Sequence, residues 1–106
     1  MDRNNLTTSF RALDASLGRI KTHLGWLSLK QSEWRPGDPP VLAVETDLVQ
    51  DLRHEEAVFL KTATELHEAI NEAKKKGVAD AKLAKRCRQL LKLEAEYHRL
   101  DIPKGL

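Results

Sequence analysis

One spacing pattern constrains this chain more than any other feature. In "NNLTTSFRALDASLGRIKTHLGWLSLKQSEW", the residues Leu6, Phe10, Leu13, Leu17, Ile20, Leu24, Leu27, Gln31 and Trp34 are separated alternately by four and three positions. On an α-helix that alternation puts the side chains in one narrow stripe, so the segment predicts an a/d seam about four heptads long, interrupted only by Gln31. Asn4, Asn5, Thr7 or Thr8 would cap its start, because a short side-chain oxygen accepts an orphan backbone N–H there. "RPGDPP" ends it, since Pro36, Pro39 and Pro40 lack the amide donor and clash with a preceding helical turn. The predicted helix covers about residues 5–34, a rod of roughly 45 Å.

Two further helices follow a Pro-rich loop at 35–44. The second, about 46–76, has Leu48, Leu52, Phe59, Ala63, Leu66, Ile70 and Ala73 at helical spacing on one face. Gly77 is placed to take a left-handed C-cap with Val78 folding back on the last turn. Asp80 then caps a third helix, about 80–100, with a stripe of Leu83, Cys87, Leu90 and Leu91 and a stop before Pro103. A link this short makes the second and third helices antiparallel. No stretch alternates as a strand would. The expected fold is all-α: one domain over residues 1–106, an elongated three-helix bundle with a long first helix and an antiparallel hairpin.

Apolar residues make up 41% and charged residues 32% of the 106, which suits a strongly amphipathic folded domain rather than disorder. No apolar run approaches the roughly 18 residues of a membrane span, and Asp2, Arg3 and two Asn after Met1 do not resemble a secretory leader. A single cysteine, Cys87, excludes an internal disulfide and fits a reducing compartment. A cytoplasmic protein with no membrane partner is expected.

The first helix predicts where a partner would bind. Its first half has the narrow stripe of a coiled coil, whereas Leu24, Trp26, Leu27, Leu29 and Trp34 in its second half point in several directions. Gly18 and Gly25, seven apart on one flank, each cost up to about 1 kcal/mol against Ala, and close approach of another backbone would compensate. The third helix, about 30 Å, is shorter than the other two and would leave one end of the long pair uncovered. Leu24, Trp26, Leu27 and Trp34 are therefore the candidate protein-interaction residues, with Trp26 as anchor and Gln31 fixing register, toward a second copy or a different protein.

Charge supplies the alternative. Residues 45–72 carry eight acids against Arg53 and Lys61, a net of −6, whereas residues 74–92 carry eight Lys and Arg against Asp80, a net of +7. Lys82, Lys85, Arg86, Arg88 and Lys92 could neutralise phosphates or dock on an acidic protein surface. That face has no aromatic side chain to stack on bases and matches no nucleic-acid reading unit, so nucleic acid is the second reading.

Candidate chemistry is sparse. His23, His54, His67 and His98 have no metal-ligand spacing, and Asp51-x-x-His54 lacks the companion residues of a helical di-iron site. Cys87, among apolar neighbours, reads as an inert thiol. Glu94 falls within the apolar arc of the third helix, and the hairpin register places Glu56 level with His98. A structural polar cluster of Glu56, Glu94 and His98 is therefore expected. No catalytic residue, metal site, cofactor or small-molecule substrate is expected. The function read from the sequence is a non-catalytic interaction module: an adaptor, regulator or accessory subunit.

Overall fold

The structure, a computed structural model, describes residues 3–77 and 81–103. Every regular element among them is helical: α1 Arg3–Glu33, α2 Val41–Val44, α3 Thr46–Lys75 and α4 Ala81–Arg99. The shape is elongated, 61 × 20 × 19 Å. Cross-helix contacts set the directions. Ser16 and Lys30 of α1 reach Glu55 of α3 and Glu45 just before its first residue, so these helices run antiparallel. Thr7 and Lys21 meet Arg86 and Glu96 of α4, so α1 and α4 run parallel.

The seam of α1 is buried as its spacing predicts: Phe10, Leu13, Leu17, Ile20 and Leu27 form the core with Leu52, Phe59, Ala63, Leu66 and Ile70 of α3 and Leu83, Leu90 and Leu93 of α4. Ser16 is fully buried between α1 and α3. Its hydroxyl donates to the Glu55 carbonyl at 3.1 Å, which satisfies the buried group without a bulky side chain.

Several local expectations change. Helix α1 is already under way at Arg3, so Asn4, Asn5, Thr7 and Thr8 lie inside it rather than at its start. The loop at 35–44 contains a helical turn, α2, in which the Pro40 carbonyl accepts the amides of Ala43 and Val44. Pro40 suits that place because its missing amide would have had no intrahelical partner. Gln31 is exposed rather than holding register in a buried seam, Val49 joins the core, and Leu93 is buried where Leu91 was expected.

The turn between α1 and α2 is well determined. Asp38 N–H donates to the Arg35 carbonyl at 3.0 Å around Pro36 and Gly37, and Gly37 has φ +101°, the left-handed backbone a type II turn requires at that position. Gly77 closes α3 with φ +77° and its amide on the Lys74 carbonyl. The Val78 contact and the Asp80 cap lie outside the described residues.

The length mismatch between helices is met within the chain. Helix α4 ends level with Lys21 and Glu56, and beyond it Leu100 and Ile102 pack against the core, as do Val41 and Leu48. The inner face of α1 is thus covered from Phe10 to Leu27, while Gln31 and Trp34 are exposed. Its two helical glycines face the other way, with nothing within 4 Å of a Cβ built on either. Gly18→Ala and Gly25→Ala should therefore each stabilise the isolated protomer by up to about 1 kcal/mol, read as a higher urea midpoint in dilute solution. A lower midpoint would mean these positions are crowded.

Candidate protein-interaction surface

At about 100° per residue, Trp26 and Leu29 project roughly 140° and 160° away from the seam of α1. The structure leaves them in solvent, Trp26 at 54% and Leu29 at 47% exposure. Around them the outward side of α1 is uncharged over four turns: Ala15, Gly18, Thr22, Gly25, Trp26 and Leu29 are all exposed. Of the charges on its flanks, Arg19 is engaged with Glu55 at 2.9 Å and Lys21 with Glu96 at 3.4 Å. In a chain with a charged residue at every third position, that gap is the main surface anomaly.

The apolar exposure extends past the end of α1. Trp34, Leu42 and Val44 are also exposed, so among the described residues five of the seven large exposed hydrophobic residues fall between positions 26 and 44. Trp34 is held rigidly: its indole Nε1 donates to the carbonyls of Asp38 and Pro39 at 3.2 and 3.0 Å, and Arg35 N–H donates to Asp38 Oδ2 at 3.0 Å. With its polar atom already satisfied, the ring can be covered without stranding a donor.

Of the four residues predicted to bind a partner, Trp26 and Trp34 face solvent, while Leu27 is buried in the core and Leu24 is half-buried against it. Leu27 lies in the part of the 4-3 seam that the core covers, whereas Trp34, the last seam position, lies past the end of α1 and is exposed. Leu29, Leu42 and Val44 are the surface residues that the sequence reading did not select. Leu29 was detectable from its angle to Trp26. Leu42 and Val44 were not, because one helical turn is too short to show a period.

The predicted basic face divides. Lys82, Lys85, Arg88 and Lys92 are exposed. Arg86 instead packs on α1, its guanidinium donating to Thr7 Oγ1 at 2.9 Å and lying 5.2 Å from the Phe10 ring centroid. Lys82, Lys85 and Arg86 also line a groove of about 1140 Å³ whose other wall carries Glu65, Glu68 and Glu72 of α3. Those carboxylates would repel a phosphate backbone drawn toward the same lysines.

The expected cluster of Glu56, Glu94 and His98 does not form as one unit. Glu94 pairs with His67 of α3, Glu56 accepts a hydrogen bond from Tyr97 at 3.0 Å, and His98 is exposed with its ring edge on Tyr97. The two helices are rotated so that adjacent residues, not His98, meet the carboxylates. His67 and Glu94 both keep substantial solvent contact, so the pair contributes about 1 kcal/mol or less.

Tyr97 stacks on Phe59 with centroids 4.6 Å apart. Burial, then the hydrogen bond to Glu56 and that carboxylate's negative charge, push its phenol up to about 12. Tyr97 is the sole tyrosine, so ultraviolet titration of the phenolate should read this group alone, with a midpoint near 12 rather than 10. Because the neutral form is favoured in the folded chain, the associated stability is intact below pH 10 and is lost as pH rises through 12. Tyr97→Phe should remove that contribution to the pH dependence. A midpoint at 10 would contradict the Glu56 contact.

Among the described residues no group of three or more His, Cys, Asp or Glu could hold a metal ion, and no helix is long and apolar enough to cross a membrane. Cys87 is a free, half-buried thiol. Comparison with protein-family models, with curated proteins and with solved structures finds no match.

Proposed function

We propose that this chain is a non-catalytic protein-interaction module, an adaptor, regulator or accessory subunit, that docks through the outward face of α1. In this reading α1, α3 and α4 form an elongated three-helix bundle whose closed core gives that face a rigid backing. The observation that carries it is Trp26, more than half exposed on an uncharged helical face although nothing in the protomer needs an aromatic residue there. Leu29 is exposed beside Trp26 on this face, and Trp34, Leu42 and Val44 add further exposed apolar side chains past the end of α1, where such surface marks candidate binding sites. Tryptophan anchors of this kind dominate interface energetics.

A photo-crosslinking residue introduced at position 26 or 29 in the native cell tests the reading, with Lys61 on the solvent side of α3 as control. Discrete adducts from 26 and 29, absent from 61, are expected. Indistinguishable patterns from all three would reject it.

The exposed row of Lys85, Arg88 and Lys92 supports the second reading, an accessory protein that binds nucleic acid. Binding to duplex and single-stranded DNA and RNA at two salt concentrations decides it. Affinity that does not fall with salt, or that survives Lys85→Glu with Arg88→Glu, rejects phosphate recognition.

A further inference from the structure

We infer that the partner of the outward α1 face is a second copy of this chain, bound with the two α1 helices antiparallel across a two-fold axis at Thr22. This rests on the interaction reading above and names the partner. The support is self-complementarity about one residue. In a two-fold antiparallel pair centred on Thr22, each residue faces the one equally far on the other side of that position.

Trp26, four residues after Thr22, then faces Gly18, four before it, and Leu29 faces Ala15, each seven away. Both large exposed apolar side chains of α1 thus meet small outward positions, and the space at Gly18 is open, with nothing within 4 Å of an added Cβ. Continuing outward, Glu33 faces Arg11, each eleven residues from Thr22. Both are exposed, and neither makes an ion pair among the described residues. The dyad repeats every pairing, so the interface would hold two tryptophans over two glycines and a charge pair at each end. At about 100° per residue, Arg11, Ala15, Gly18, Thr22, Trp26, Leu29 and Glu33 all lie within roughly 40° of one direction. Gly18, beneath Trp26, would let the backbones approach closely there, which accounts for a glycine at that position inside an otherwise continuous helix.

Sedimentation of the full chain over a range of concentrations tests this. A monomer–dimer equilibrium is expected, weakened by on the order of 100-fold or more by Trp26→Ala. Gly18→Leu should also block it by filling the receiving space, and circular dichroism should show that variant fully folded because the space is open in the protomer. Arg11→Glu and Glu33→Arg should each weaken the homodimer through like charges at both ends, whereas their equimolar mixture should form the heterodimer. A dimer indifferent to Gly18→Leu, or single charge variants that do not associate better when mixed, would overturn the geometry. A monomer at every concentration would overturn the inference. If crosslinks from position 26 to a different protein then persist, the interaction reading stands without it, and if they are absent both fall.

Discussion

Replacing Phe59 with alanine should lower the unfolding free energy by about 3–5 kcal/mol, among the largest effects of any single truncation in the chain. Phe59 is fully buried in α3, inside the cluster that joins α1, α3 and α4. Truncation removes its transfer free energy, leaves a void among Leu and Ile side chains too stiffly packed to close it, and deletes the surface on which Tyr97 stacks. A domain of this size has about 5–15 kcal/mol of stability in total, so the variant should be close to half-unfolded at moderate urea. Equilibrium urea denaturation measures this directly. A loss under about 1 kcal/mol would mean that the three helices do not share one core.

Two adjacent leucines supply the second test. Leu90 is fully buried and Leu91 is 55% exposed. Leu90→Ala should cost about 2–5 kcal/mol, and Leu91→Ala should stay within about 0.5 kcal/mol. Helix α4 is 19 residues long and, as an isolated segment of that length and charge, would be marginal in water. It therefore depends on Leu83, Leu90 and Leu93 for its place. In the Leu90→Ala chain, backbone amides of α4 should lose hydrogen-exchange protection before those of α1 and α3, which pack along most of their length. Equal costs for the two leucines, or uniform loss of protection, would contradict the observed rotation of α4.

That pair also marks where sequence reasoning stopped. Both residues are leucine and both lie near the apolar arc of α4, so periodicity could not rank Leu91 below Leu93. The rotation of α4 on its neighbours did, set in part by Arg86 packing on Phe10 and Thr7. A cation that the sequence assigns to a surface patch was thus drawn into helix packing, as long side chains with an apolar stem allow. The polar contacts changed for the same reason. A register counted from Gly77 aligns Glu56 with His98, but a hydrogen bond also needs both side chains to point at each other, and rotation gave Glu56 to Tyr97 and Glu94 to His67.

The outward face of α1 shows both levels of information. That Trp26 lies off the seam and that the two glycines share a flank followed from spacing alone. The sequence did not tell whether α2 and the segment after α4 would fold over them. Those segments pack against the core instead, through Val41, Leu100 and Ile102.

Helical class, the three long helices and the seam of α1 from Phe10 to Leu27 were legible in the sequence itself, because a 4-3 spacing is a property of one helix in isolation and proline and glycine interrupt it locally, whereas the short α2 appeared only in the structure. Which of the remaining apolar and charged residues are buried was decided only in the tertiary structure. Burial depends on how each helix is rotated against the others, and that rotation is a compromise among all the contacts at once.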